Sequence, residues 1–205
     1  MRVTGPISPF FVIATVILLS GCGTPSSESP AMPPEGPVEA RATADPASAR
    51  ATVDRFLEFY FNRYGSGLPN DAERAALSPL VTPAFGAALD AAARAEQCHR
   101  SRTGGTEPPL VQGDIFTSLF EKATRATGVT ELADDGRSAL FGIALEAREP
   151  GAAEAAVAWR DRIVLARVDG RWLIDDFIHD GDWQFTMRGS VKSMLEGIAK
   201  LCPGP

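Results

Sequence analysis

The 205-residue chain is poor in the residues that bind nucleic acid. It carries 20 Lys and Arg against 26 Asp and Glu, a net charge of −6, and no four bases are consecutive. Affinity for phosphate backbones comes from clustered Lys and Arg, so we expect no nucleic-acid partner. The densest basic group is Arg94, Arg100 and Arg102, scattered around a predicted helix end, where a solvated face is the usual interpretation.

Histidine is also scarce, since the chain has only His99 and His179. Because Cys98 and His99 are adjacent, they do not have the spacing of zinc ligands, and we expect no metal or other cofactor. One acidic run could supply oxygen ligands for calcium: Asp175, Asp176, Asp180 and Asp182. The run lacks the EF-hand pattern, so we interpret it as a solvated loop.

The apolar run near the amino terminus is too short to span a bilayer. It extends from Phe10 to Leu19, whereas a spanning helix needs about 20 residues. Its length fits a signal-peptide core, and it ends in Leu19-Ser20-Gly21-Cys22, the pattern of a bacterial lipoprotein signal. In such a signal the cysteine becomes the acylated first residue. The alternatives are an uncleaved anchor or an ordinary secretory signal.

These observations divide the chain into three parts. Residues 1–21 are predicted to be a lipoprotein signal peptide, and residues 22–44 a lipidated cysteine with a disordered Pro- and Ser-rich tether. Residues 45–205 are enough for one domain. We expect a lipid anchor at Cys22, because an acidic body does not itself adhere to anionic lipid. The expected location is the periplasmic side of the outer membrane in a Gram-negative cell, which Gly23 favours, and otherwise the outer face of the cytoplasmic membrane.

The first half of the domain has helical periodicity, with apolar residues at three- and four-residue spacing. The expected helices cover residues 45–64, with Asp45 as N-cap, 71–77, and 82 to about 100, capped by Thr82-Pro83. A last helix is predicted after Ser190 and before Cys202.

The second half is typical of antiparallel strands. Phe141, Ile143 and Leu145 alternate with smaller residues, and Asp169-Gly170 predicts a tight type I′ hairpin turn. That turn sets a register whose expected pairs are Val168 with Arg171, Arg167 with Trp172, Leu165 with Ile174, Ile163 with Asp176, and Asp161 with Ile178. The Arg167 and Trp172 pair also predicts a cation–π contact.

Helices followed by antiparallel strands indicate an α+β fold. Three segments, Gly113–Glu121, Trp159–Asp161 and Trp172–Asp176, make the chain resemble the DUF3828 family of bacterial envelope proteins, many of which are lipoproteins of unknown function. The resemblance implies an NTF2-like, cystatin-like roll: a cone in which N-terminal helices pack on a curved antiparallel sheet, with a C-terminal helix. It implies no catalytic residue.

Cysteine usage fits an exported protein. Once Cys22 is lipidated, Cys98 and Cys202 remain as an even pair in a compartment where disulfides persist. We therefore expect a disulfide between them. The alternative is two separate buried thiols.

A pocket follows from the expected register. It would place Trp159, Trp172, Asp161 and Asp176 on one sheet face, where two neighbouring carboxylates in apolar surroundings acquire the raised pKa of a general acid. The structural alternative pairs Asp161 with Arg160 or Arg162 and makes Asp176 a turn cap.

Two tyrosines could complete such a pocket. Tyr60 and Tyr64 lie one helical turn apart and could donate a hydroxyl, as in ketosteroid isomerases of the same roll, although they could equally belong to the core. We expect a non-catalytic binding or accessory module whose partner is an envelope protein or a small apolar ligand. The alternative is a pocket enzyme that uses the aspartates and a tyrosine on a small apolar substrate.

Overall fold

The computed structural model describes residues 45, 47–148, 155–182 and 188–202, and in them it contains helices packed on one antiparallel sheet. The helices are α1 (Ala49–Asn62), α2 (Asp71–Leu77), α3 (Pro83–Thr103) and α4 (Val191–Ala199), with a short 3-10 turn at Ser78–Leu80. The strands are β1 (Arg125–Asp134), β2 (Ser138–Ala147), β3 (Val157–Val168), β4 (Arg171–His179) and β5 (Gly189–Ser190), in spatial order β1-β2-β3-β4-β5. The α+β class is confirmed. The expected signal peptide, Cys22 and the tether lie outside the described residues.

Helix α1 begins later than the sequence predicts. Its N-cap is Ser48, whose Oγ accepts a hydrogen bond from the backbone N–H of Ala51 at 3.1 Å, and Asp45 lies one turn upstream. The predicted cap at Asp45 is therefore wrong, because the serine satisfies the first unpaired amides. Of the apolar residues expected to face the core, Val53, Phe56 and Tyr60 are buried, whereas Leu57 and Phe61 are only partly buried.

The other helix ends follow their capping residues. Helix α2 has the predicted bounds, and α3 begins after Thr82, whose Oγ1 accepts from the N–H of Phe85 at 3.2 Å. Gly104 ends α3 at a positive φ of 61°, which a glycine adopts without strain. Ser190 caps α4 by accepting from the N–H of Ser193. Across the described ranges, no helix is both long and apolar enough to cross a membrane.

The β3–β4 hairpin turns at Asp169 and Gly170, which have φ values of 49° and 78°. Positive φ at both positions is what a type I′ turn requires, so the predicted turn is confirmed. The expected contact beside it is also present, with the Arg167 guanidinium 5.8 Å from the centre of the Trp172 ring. Strand β1 was not predicted from the sequence. None of its residues is fully buried, so it lacks the alternation of apolar and polar residues that marks a half-buried strand.

The expected register is correct only for the half of the hairpin nearest the turn. Leu165 pairs with Ile174, but Val164 pairs with Asp176, because a bulge inserts Asp175 into β4. Phe177 then pairs with Ile163. The predicted pairs of Ile163 with Asp176 and of Asp161 with Ile178 are wrong, and Asp176 does not share the buried face of Asp161.

The bulge lets two consecutive aspartates serve two helices. The Asp175 carboxylate accepts from Thr82 Oγ1 at 2.8 Å, at the start of α3, and from Lys192 Nζ at 2.8 Å. The Asp176 carboxylate accepts from the Ser190 hydroxyl and, at 2.9 Å, from the backbone N–H of Lys192, at the start of α4. Carboxylates are favourable at helix N-termini, whose amides lack partners. Asp176 therefore holds the start of a helix, and is neither a pocket residue nor the turn cap of the structural alternative.

A second link connects α3 to the end of α4. Cys98 lies in α3 and Cys202 follows α4, and their sulfur atoms are at disulfide distance, 1.93 Å, with Cα atoms 5.9 Å apart. The two helices also pack against each other and on β4. Phe85 of α3 contacts Phe177 of β4, with ring centres 5.6 Å apart. These helices cover part of the buried sheet face, at β4.

Candidate functional site

An irregular loop, Gly113–Phe120, which we call the core loop, covers another part of the buried face, against Asp161 of β3 and Phe177 of β4. It closes on itself through a hydrogen bond from the N–H of Asp114 to the carbonyl of Phe120, at 2.8 Å. Gly113 has a φ of 75°, and a Cβ there would lie 2.7 Å from the Phe120 carbonyl oxygen, so the closure requires glycine. Five consecutive residues of the loop are buried: Asp114, Ile115, Phe116, Thr117 and Ser118.

Asp114 fixes the core loop to α1. Its fully buried carboxylate accepts from the Tyr60 hydroxyl, from the N–H of Phe116 at 2.8 Å and from Thr117 Oγ1 at 3.3 Å. The Tyr60 oxygen in turn accepts from the N–H of Ala123 at 2.9 Å. Burial is the main reason that the pKa of Asp114 is raised from 3.8 to about 6, and burial beside this carboxylate also raises the pKa of Tyr60.

Asp161 fixes the same loop to the sheet. Its carboxylate, 2% exposed, accepts the Ser118 hydroxyl and the Ser118 N–H, the latter at 2.7 Å. It also accepts from Trp159 Nε1 and from the N–H of Asp180, each at 2.9 Å. The donors come from the loop, from β3 and from the residue after β4. Asp161 therefore joins three separate segments of the chain, and its lone pairs are largely used inside the protein.

Two further side chains bond to the backbone of the core loop. His179 Nε2 lies 3.2 Å from the carbonyl of Ile115, and burial lowers the pKa of this histidine. The Tyr64 hydroxyl accepts from the N–H of Ile115 at 3.2 Å and donates to the carbonyl of Gly67 at 2.8 Å. Burial also raises the pKa of Tyr64. A loop cannot satisfy its own polar backbone as a helix does, so each of these contacts replaces a bond to water.

Lys122 lies just outside this network. Its Nζ donates to the carbonyl of Tyr64 and sits 5.1 Å from the centre of the Tyr60 ring. Partial burial lowers the pKa of this lysine, and the negative charge of Asp114 opposes that effect. The cation therefore lies against tyrosine rings whose hydroxyls face the core loop.

The structure does not assemble the expected pocket. Trp159 and Trp172 are both on the buried face of the hairpin, but they lie at its opposite ends. Trp172 pairs with Arg167, which is eight residues from Trp159 along β3, a distance of about 26 Å. Trp159 borders a cleft of about 470 Å³ together with Arg160 and Asp180, whereas Trp172 borders another of about 320 Å³. Asp176 lies in β4 and bonds to the start of α4, so the two aspartates do not form a pair.

The acidic residues that could have held calcium do not form one site, because Asp175, Asp176 and Asp180 each bond to groups of the protein itself. Asp180 forms an ion pair with Arg162, with Nε and Oδ2 2.5 Å apart, and Asp175 forms one with Lys192. In the part of the chain that the structure describes, no three His, Cys, Asp or Glu side chains are grouped as metal ligands.

Sequence reasoning did not identify Asp114 or Ser118 as anchors. The sequence did contain a signal for them. The stretch Gly113–Phe120 mixes Asp, Thr and Ser with apolar residues, and polar side chains that are buried among apolar ones need hydrogen-bond partners inside the protein. Neither the family models nor the curated proteins that we compared with this chain gave a match.

Proposed function

We propose that this chain is a lipid-anchored envelope protein that acts as a non-catalytic binding or accessory module. The observation that supports a non-catalytic role is the use of Asp161, which accepts four hydrogen bonds from the protein's own groups at 2% exposure. A general acid or base must reach a substrate proton. A carboxylate that joins three chain segments instead holds the fold.

The remaining candidate groups support the same proposal. Tyr60 is 1% exposed and bonded to Asp114, Tyr64 bridges two backbone segments, and Asp176 caps α4. The alternative, a pocket enzyme that uses these aspartates and tyrosines, would need them to converge on one cavity. The proposed partner is therefore met at the protein surface, and is an envelope protein or a small apolar molecule.

The proposed fold family is the NTF2-like roll of the DUF3828 proteins. Its support is the helices on one face of a meandering antiparallel sheet, together with the three sequence segments described above. Two of these segments hold the residues that fix the core loop, since Gly113–Glu121 contains Asp114 and Ser118 and the second contains Asp161.

Lipidation and partner binding are tested in the same cells. We expect the wild-type chain to carry a diacylglycerol on Cys22 by mass spectrometry and to partition into detergent. A Cys22→Ser chain should be uncleaved or released from the membrane. Unchanged detergent partitioning of that variant would contradict the anchor.

The non-catalytic role is tested by crosslinking in cells. Anchored wild-type protein should crosslink reproducibly to an envelope component, and Cys22→Ser should lose that product, because an anchored module meets its partner at the membrane. A turnover activity that disappears in Asp161→Asn while the variant keeps the wild-type fold by circular dichroism would favour the enzyme alternative.

A further inference from the structure

Three arginines converge at the end of the molecule where the tether joins the domain. Arg55 of α1 and Arg171 of β4 line the cleft of about 320 Å³ that Trp172 borders, and Arg167 lies over the Trp172 ring. All three arginines are exposed. We call Arg55, Arg167, Arg171 and Trp172 the basic cleft.

The guanidinium groups of the basic cleft are held by neutral groups. Arg55 donates to Thr52 Oγ1 at 3.0 Å, and this buried hydroxyl donates to the carbonyl of Trp172 at 3.0 Å. Arg167 donates to the carbonyl of Gly170, and Arg171 donates to the carbonyl of Pro79. Among the described residues, no carboxylate lies within ion-pair distance of the three.

This arrangement is suited to anionic oxygen atoms. A guanidinium has five N–H donors in a planar fork that matches phosphate, and the contacts above use only one or two of them. What distinguishes the basic cleft is that three exposed arginines are grouped around Trp172 in a chain whose net charge is −6.

The position of the basic cleft points to the partner. Ala47, which lies where the tether enters the domain, lines the same cleft. If Cys22 is acylated, the 22-residue tether holds this end within an r.m.s. reach of roughly 26 Å of the bilayer. Such a tether makes docking on the bilayer intramolecular, so weak contacts suffice.

We propose that the basic cleft docks on the phosphate headgroups of an anionic phospholipid surface and so orients the domain on its own membrane. The inference rests on the proposed lipid anchor. The acyl chain supplies attachment, and the arginines supply orientation. Each arginine at an anionic surface contributes about a fivefold increase in the docked fraction relative to the undocked one.

The test is arginine footprinting of the full acylated protein in vesicles. Phenylglyoxal labelling, read by mass spectrometry, is compared between vesicles of phosphatidylcholine alone and vesicles that also contain phosphatidylglycerol. We expect Arg55, Arg167 and Arg171 to be protected only in the anionic vesicles, and high salt to remove the protection. Arg94 and Arg102 of α3 are exposed and serve as internal controls with unchanged labelling.

A matched pair of variants sharpens the test. Arg167→Gln should lower the docking equilibrium, measured as protection of Arg55 and Arg171, about fivefold, and Arg94→Gln, with the same change of charge, should leave it unaltered. Equal labelling in both kinds of vesicle would overturn the proposal. So would protection that needs an added envelope extract, which would assign the cleft to an acidic protein. The mass of the Cys22 peptide reports separately on the anchor, so failure of lipidation and failure of docking are distinguishable.

Discussion

Two kinds of structure pack against β4, which we call the helical half and the loop half of this packing. In the helical half, α3 and α4 pack on β4 with apolar side chains and are joined by the Cys98–Cys202 link. In the loop half, the core loop is held by Asp114 and Asp161, which are buried with hydroxyl and amide donors. A helix bonds its own backbone, whereas a buried loop must find partners elsewhere. The buried carboxylates of Asp114 and Asp161 therefore accept hydrogen bonds from loop amides that have no partner in a helix or strand.

The aromatic packing is continuous across both halves. Phe177 contacts Phe85 of α3 on one side and Phe116 of the core loop on the other, with ring centres 5.6 and 5.0 Å apart. Helix α1 completes this cluster through Phe56, 4.7 Å from the Phe177 ring. What differs between the halves is thus the polar part of the packing, and the two should respond differently to mutation, reduction and pH.

The largest effect should come from removing the carboxylate of Asp161. In Asp161→Ala four donors lose their acceptor in a buried position, and we expect the free energy of unfolding to fall by about 5 kcal/mol. Urea denaturation measures this loss. The matched control is Asp180→Asn, which removes a half-exposed ion pair with Arg162 and should cost at most about 1 kcal/mol. Equal losses in the two variants would show that Asp161 is not an anchor.

Reduction should weaken the helical half by a comparable or smaller amount. Cys98 and Cys202 are 104 residues apart, and the chain-entropy model gives up to about 4.7 kcal/mol for a loop of about this length. We expect a reducing agent to lower the melting temperature of the wild-type protein and to leave a Cys98→Ser, Cys202→Ser variant unaffected. Titratable thiols at both Cys98 and Cys202 in the oxidised protein would contradict the link.

The pH dependence should distinguish the loop half from the helical half. The folded-state pKa of Asp114, about 6, lies above its usual 3.8, so the folded chain holds this proton more tightly than the unfolded chain does. Asp114 therefore adds to the free energy of unfolding at low pH. This stabilisation is full below pH 3.8 and is lost as the pH rises through 6, a change of about 3 kcal/mol for a pKa difference of about two.

Asp114→Asn isolates this effect from other titrating groups. His179 acts in the opposite direction, because its lowered pKa costs stability as the pH falls below 6.5. The difference in unfolding free energy between the wild type and Asp114→Asn should therefore vary between pH 4 and 7. A constant difference over that range would mean that Asp114 does not titrate there.

The smallest of these effects belongs to a single hydroxyl. Tyr60→Phe keeps the ring in the core but removes a donor to Asp114 and the acceptor of the Ala123 amide. We expect a loss of about 1–3 kcal/mol by denaturation, without loss of the aromatic packing. Phe61→Leu, at a partly buried position beside Tyr60, is the control for ring packing alone. If Tyr60→Phe had the same free energy of unfolding as the wild type, the Tyr60 hydroxyl would not stabilise the core loop.

The sequence predicted the local features of the fold well. The bounds of α2, the Thr82 and Ser190 caps and the Asp169-Gly170 turn follow from residues that act on their immediate neighbours. Strand β1 was not predicted, because both of its faces are largely exposed and give no alternation.

Non-local contacts could not be predicted in this way. Tyr60 and Asp114 are 54 residues apart, and Ser118 and Asp161 are 43 apart, so their pairing depends on the completed fold. The bulge at Asp175 was not predicted either; it places the two aspartates at the starts of α3 and α4 and moves Asp176 away from the expected pocket. Side chains assigned to chemistry from one predicted register were thus found to hold the structure.

The central claim is that buried carboxylates hold the core loop in place, and hydrogen exchange at the Ser118 amide tests it most directly. This N–H donates to Asp161 at 2.7 Å in a fully buried position. We predict that in the wild-type protein it exchanges as slowly as the amides of β3, and that in Asp161→Asn it exchanges many times faster while the β3 amides remain protected. Fast exchange of Ser118 in the wild type, at the rate of an exposed loop, would contradict the account.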